Sequence, residues 1–184
     1  NAFFVYGNLP MTLVRVGMEM AAKDDISNSK FFARQMSALA DLFTIFLLYL
    51  IVSSLYGRKV GLLSAAFSSL AVMQIQQSHF FTSDLFVNMF MFLALAFAVK
   101  IVGQQWDEEQ NISNEIQDEN LPAPRPSSFI TSILKKPLFL LSIGFGFALG
   151  MAMASKINAA ALAIALPAAF AVRYLIYDRK KAPS

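Results

Sequence analysis

Cysteine is absent from the 184-residue chain, histidine occurs once, and only 15% of the residues are charged. Without cysteine there is no disulfide, no thiolate metal site and no cysteine nucleophile. With one histidine, a metal site would depend on carboxylates, carbonyl oxygens or substrate phosphates. The net charge of +3 is too small to indicate a nucleic-acid partner. A glycine-rich phosphate loop, a His-Glu-x-x-His motif and a nucleophile elbow are also missing, which argues against several classes of soluble enzyme.

What the chain does contain is apolar sequence, which makes up 57% of it. Soluble domains contain about 45–50%, so we expect an integral membrane protein surrounded by membrane lipids. The predicted fold class is all-α, a polytopic transmembrane helical bundle of about five spans. Gly146 and Gly150, one turn apart, predict close helix packing. The stretches that could cross a hydrocarbon core of about 30 Å are Ala38–Tyr56, Gly61–Ile75, Leu85–Val102, Pro137–Ser155 and Ile157–Tyr177.

The first 30 residues are predicted to form an external segment at the membrane interface. Pro10 interrupts the apolar run, and Arg15 and Glu19 share a helical face opposite Val14 and Met18. This pattern is typical of an amphipathic helix that lies on the membrane surface. Arg15 and Glu19 are four residues apart and are expected to form a surface ion pair.

The rest of the chain completes a single membrane domain, residues 1–184. Residues 38–102 are predicted to hold three spans and residues 137–177 two more. Between them, residues 103–135 are first acidic and then proline-rich, which predicts a flexible cytoplasmic loop. Residues 178–184 are predicted to be a cytoplasmic tail.

Orientation follows from the basic residues. If the Gly57–Val60 turn is cytoplasmic, ten of the 15 lysines and arginines lie on the cytoplasmic side, as the positive-inside rule requires. Asp84 and Lys156 then lie together on the outer side. We expect the membrane to be a bacterial plasma membrane.

Asp84 lies in a short polar hinge between two predicted spans. Ionisable groups at such positions are costly to place and are candidates for function. Asp84 could hold a divalent cation, Mg²⁺ or Mn²⁺, or orient a phosphate-bearing lipid. The alternative is structural, because Thr82-Ser83-Asp84 is a good capping sequence for the following helix. The two interpretations are compatible.

Lys156 and His79 are the other candidates at this face. Lys156 falls between two apolar runs with only Ser155 and Asn158 as polar neighbours. Its ammonium could neutralise a lipid phosphate, or it could simply extend to the headgroups. His79 could donate a hydrogen bond to a phosphate oxygen, or be an ordinary interfacial residue.

Five segments, in order, resemble the membrane glycosyltransferases of family 39 and the wider GT-C fold. That group includes protein O-mannosyltransferases and the aminoarabinose transferases that act on lipid A. Each segment alone is degenerate, but their order and spacing make the resemblance fairly specific. The segments are Tyr6-Gly-Asn-Leu-Pro10, Arg34-Gln-Met-Ser-Ala38, Tyr56-Gly-Arg-Lys-Val-Gly61-Leu-Leu, Gln76 to Asp84, and Gly146 to Lys156.

The resemblance implies transfer of a sugar from a polyprenyl-phosphate carrier to an acceptor at the outer membrane face. It implies a metal or donor-phosphate role for Asp84 and a donor-phosphate role for Lys156, with His79 as a further candidate. The family's main catalytic carboxylate precedes the Tyr-Gly-x-Leu-Pro segment, so we expect it upstream of Asn1. The catalytic residue is therefore unassigned, and we expect this chain alone to be inactive.

Two other functions fit the sequence less well. A non-catalytic small membrane subunit of a larger membrane complex could use the 18 phenylalanines for helix contacts with other membrane subunits. A transporter would need more ionisable residues along a pathway through its spans.

Overall fold

The computed structural model describes residues 7–20, 26–103 and 137–176, and every regular element in these segments is a helix. This confirms the all-α bundle. The predicted loop at 103–135 and the tail at 178–184 lie almost entirely outside the described residues. The helices are α1 (Leu9–Met20), α2 (Ile26–Tyr56), α3 (Arg58–Ser69), α4 (Val72–His79), α5 (Ser83–Gly103), α6 (Pro137–Ser155), a 3₁₀ helix (Ile157–Ile164) and α7 (Ala165–Ile176).

Four helices in the described segments are long and apolar enough to cross a membrane. They correspond to four of the five predicted spans, although the first begins nine residues earlier than the predicted Ala38. The last of the four consists of the 3₁₀ helix and α7, which follow one another without a break and together form one candidate span. The four are Ser29–Tyr56, Ser83–Gly103, Pro137–Ser155 and Ile157–Ile176.

The remaining predicted span, Gly61–Ile75, is not one continuous helix. It is divided between α3 and α4, which meet at Leu70 and Ala71, where Ala71 has an extended backbone (φ −67°, ψ 115°). Serine hydroxyls near the break, such as that of Ser69, donate to carbonyl oxygens of their own helix. Such bonds compete with regular helix hydrogen bonding. Both halves of the segment nevertheless pack against α2. In α4, the side-chain amide of Gln74 donates a hydrogen bond to the Asp41 carboxylate of α2 at 2.6 Å.

The main core lies between α5 and α6. Small residues allow the two helices to approach closely, because Ala94, Ala148 and Ala152 are all fully buried. Packing of small residues is a principal source of helix association in membranes, where lipid tails are as apolar as side chains. This core joins the beginning of α5 to the end of α6.

The close packing predicted at Gly146 and Gly150 is not found among the described residues. A Cβ atom added at either glycine would meet no atom within 4 Å, so neither mediates close packing among the described residues. The close approach occurs two positions away, at Ala148 and Ala152, on the face of α6 that meets α5. At Gly144, an added Cβ would lie 2.8 Å from the ring of Phe97.

Candidate functional site

A break in the helical backbone determines where Lys156 lies. The residue has an extended conformation (φ −160°, ψ 127°) between the end of α6 and the 3₁₀ helix. Its backbone N–H still donates to the carbonyl oxygen of Ala152 at 2.9 Å, which completes the last turn of α6. The break therefore leaves Lys156 at the end of the α5–α6 core and not along a regular helix.

Lys156 forms an ion pair with Asp84 across this end of the bundle. The distance between Lys156 Nζ and Asp84 Oδ1 is 2.7 Å, and the two side chains are 22% and 39% exposed. Asp84 is in the first turn of α5, where a negative charge interacts favourably with the helix dipole. The structure thus brings together two of the three site residues predicted from sequence.

The segment before α1 packs directly against this break. The N–H of Gly7 donates to the carbonyl oxygen of Ser155 at 3.0 Å. A Cβ atom at residue 7 would overlap the carbonyl oxygen of Ala154, so only glycine fits this approach. Gly7 was not predicted as a site residue, although its place in the Tyr-Gly-x-Leu-Pro segment was a signal that could have identified it.

A cleft of about 320 Å³ opens beside Asp84. Thr82, which precedes the first residue of α5, has a buried Oγ1 with no hydrogen-bond partner in the described part of the chain. Within the described residues, Thr82 thus does not cap α5 through its hydroxyl, and Asp84 lies in the first turn of the helix and not at its cap. The cleft is lined by Gly7, Pro10, Met11, Phe81, Thr82, Ser83 and Asp84.

His79 is not among the residues that line this cleft. It is an exposed residue near the end of α4, and its Nδ1 lies 2.9 Å from the carbonyl oxygen of Ile75 in the same helix. The structure therefore does not bring His79 together with Asp84 and Lys156. Its assignment to a donor phosphate stays a prediction.

One protein-family model matches part of the chain. Residues 20–108 match the family model described as dolichyl-phosphate-mannose-protein mannosyltransferase. The match covers slightly less than half of the chain and includes Asp84 but not Lys156. The match supports a resemblance to membrane glycosyltransferases in general. No curated protein and no solved structure matches the chain.

The mannosyltransferase resemblance raises the question of a divalent cation at Asp84. Within residues 7–20, 26–103 and 137–176, no three aspartate, glutamate or histidine side chains are grouped as metal ligands. The Asp84 carboxylate is also already 2.7 Å from the ammonium of Lys156. A hard cation needs several oxygen ligands, so the described residues alone do not fit one. The metal assignment of Asp84 stays a prediction, and the local positive charge is that of Lys156.

Proposed function

We propose that this chain forms the donor-phosphate region of a membrane glycosyltransferase. The enzyme would move a sugar from a polyprenyl-phosphate carrier to an acceptor at the outer membrane face. The observation that carries the proposal is the Lys156–Asp84 ion pair beside a cleft at one end of the α5–α6 core. The match to a mannosyltransferase family model over residues 20–108 supports the reaction class.

The chemistry requires stabilisation of a leaving phosphate. In an inverting displacement, an acceptor oxygen bonds to the anomeric carbon as the bond from that carbon to the phosphate oxygen breaks. The departing polyprenyl phosphate gains negative charge, and a nearby ammonium lowers the energy of that developing charge. Lys156 would supply this ammonium. The general base that accepts the proton of the acceptor is not assigned to any residue of this chain.

Asp84 would act mainly by positioning. Its carboxylate lines the cleft and holds the Lys156 ammonium at 2.7 Å, because a flexible lysine side chain otherwise adopts many rotamers. The buried hydroxyl of Thr82 adds a polar group in the wall of the same cleft. A phosphate bound there would lie at the amino-terminal end of α5, which favours an anion, and the Lys156 ammonium would offset the negative charge of Asp84.

The test is turnover of a polyprenyl-phosphate sugar by the full protein in membranes. We expect Lys156→Ala to lower kcat/KM by about 100-fold, a typical loss when one group that stabilises transition-state charge is removed. Lys156→Arg should retain more activity, since it keeps the positive charge. Lys59→Ala removes an exposed cation next to the turn between α2 and α3 and serves as the matched control.

Unchanged turnover in a folded Lys156→Ala protein would contradict the proposed site. If the wild-type protein turned over no lipid-linked sugar but copurified in fixed ratio with other membrane proteins, the non-catalytic subunit would be the better interpretation. Thermal unfolding of each variant should accompany the assay, because the ion pair also joins α5 to the end of α6.

A further inference from the structure

A second and larger groove lies between α1 and the beginning of α2. Its volume is about 720 Å³, more than twice that of the cleft beside Asp84. Its apolar lining comes from both helices and from the segment before α5. The apolar lining residues are Met11, Val14, Met18, Ala33, Phe80 and Phe81.

The polar lining of this groove is mainly cationic. Lys30 and Arg34 both line it and are one turn apart on α2, where two like charges repel each other. Neither forms an ion pair with a described residue, whereas Arg15 is paired with Glu19 at 3.0 Å. Over residues 15–34 the sequence holds four basic and three acidic residues. An anion between Lys30 and Arg34 would relieve their repulsion.

The length of α2 places these two cations at headgroup depth. The candidate span Ser29–Tyr56 has 28 residues, which is about 42 Å of helix. A hydrocarbon core is only about 30 Å thick, so part of the helix extends into the polar layer. Lys30 and Arg34 lie at the charged end of this helix, and this end packs against the amphipathic α1, where Gly17 faces the ring of Phe32.

From this geometry we infer that the groove binds an anionic phospholipid of the surrounding bilayer. The phosphate-bearing headgroup lies between Lys30 and Arg34, and an acyl chain follows the apolar wall formed by Met18 and Phe81. A cationic rim above an apolar floor matches an amphiphile that has its anionic group at one end. The groove shares Met11 and Phe81 with the cleft beside Asp84, but its cations are Lys30 and Arg34, so lipid binding there requires neither glycosyl transfer nor Lys156. A lipid bound in the groove would fix α1 to the membrane surface.

The test is native mass spectrometry of the full protein in detergent, titrated with phosphatidylglycerol or phosphatidylcholine. We expect wild-type protein to retain phosphatidylglycerol preferentially. The double variant Lys30→Ala/Arg34→Ala should bind it roughly 25-fold more weakly, because each basic residue near an anionic headgroup contributes about fivefold. Phosphatidylcholine binding should change little.

Arg58→Ala/Lys59→Ala is the matched control, since it also removes one arginine and one lysine, both exposed. It should leave phosphatidylglycerol affinity unchanged, and helix content and elution volume should show that both double variants are folded. Equal loss in the two double variants, or no loss in Lys30→Ala/Arg34→Ala, would overturn the inference.

Two further arms distinguish the source of the lipid and separate this site from the glycosyltransferase proposal. Displacement of phosphatidylglycerol by an equimolar amount of polyprenyl phosphate would identify the carrier as the occupant and overturn the phospholipid assignment. Lys156→Ala should bind phosphatidylglycerol as wild type does. A loss in that variant would show that the groove is not a separate site.

Discussion

Two helix pairs of the bundle, α5 with α6 and α2 with α4, are held together in different ways. α5 packs on α6 through fully buried alanines, and the ion pair of Asp84 and Lys156 lies at the end of that contact. α4 packs on α2 without a single buried residue of its own. It is instead connected by a hydrogen-bond chain from Ser68 through Gln74 to Asp41, with distances of 2.8 and 2.6 Å.

The difference shows which part of the molecule can keep a charged pair in a fixed position. Close backbone packing leaves the α5–α6 pair few alternative arrangements, so the two ends that carry Asp84 and Lys156 stay in register. Side-chain hydrogen bonds within membranes contribute modestly, on average about 0.6 kcal/mol. We therefore expect the α2–α4 contact to be the more adaptable of the two.

The largest effect is expected from overpacking the α5–α6 contact. Ala148 is fully buried, and Ala148→Leu should destabilise the protein by about 1–3 kcal/mol because the added atoms force the helices apart. Gly146→Leu is the control, since an added Cβ there meets no neighbouring atom. Unfolding in mixed detergent micelles measures both. Similar losses in the two variants would contradict the packing difference.

A smaller effect is expected when the α2–α4 connection is removed. In a double-mutant cycle with Asp41→Ala and Gln74→Ala, we expect a coupling energy of about 0.6 kcal/mol. The control cycle pairs Asp41→Ala with Ser64→Ala, because the Ser64 hydroxyl donates to its own helix at Val60 and does not reach α2. If the coupling energy between Asp41 and Gln74 were as large as the loss of stability in Ala148→Leu, the α2–α4 contact would be no weaker than the α5–α6 contact, which would contradict the comparison.

The smallest effect concerns the surface of α1. The Arg15–Glu19 pair is 3.0 Å long, but its side chains are 82% and 58% exposed. A double-mutant cycle should give about 0.2–0.5 kcal/mol, and the value should fall as salt is added. A salt-independent coupling would show that the pair is screened from solvent by a neighbour, and would place α1 in tighter contact than the structure shows.

Much of the fold could be predicted from sequence because long apolar runs have few structural alternatives in a membrane. The bounds of Pro137–Ser155 were predicted to the residue, and Ser83–Gly103 differs by two residues at the start and one at the end. The break at Leu70 and Ala71 could not be predicted from apolarity. It depends on local serine hydrogen bonds and on the tertiary contact between Gln74 and Asp41.

Part of the candidate site was also predictable. Charge distribution placed Asp84 and Lys156 on the same side, and the structure joins them at 2.7 Å. His79 was grouped with them because it is near Asp84 in sequence, but it lies outside the cleft at the end of α4. Gly7 was missed because its role depends on a contact with Ser155, which is distant in sequence, and its place in the Tyr-Gly-x-Leu-Pro segment was the one signal that pointed to it.

The central claim is that Lys156 holds a phosphate and does more than join two helices. The most direct test is the affinity for polyprenyl phosphate of Lys156→Ala and Asp84→Asn in nanodiscs. Both substitutions break the same ion pair, but only the first removes the cation. We predict a loss of more than tenfold in Lys156→Ala, as for other charged hydrogen bonds, and a clearly smaller loss in Asp84→Asn, which keeps the cation and removes only the carboxylate that positions it. An equal loss in both variants would contradict the account, because it would show that the pair acts only through structure.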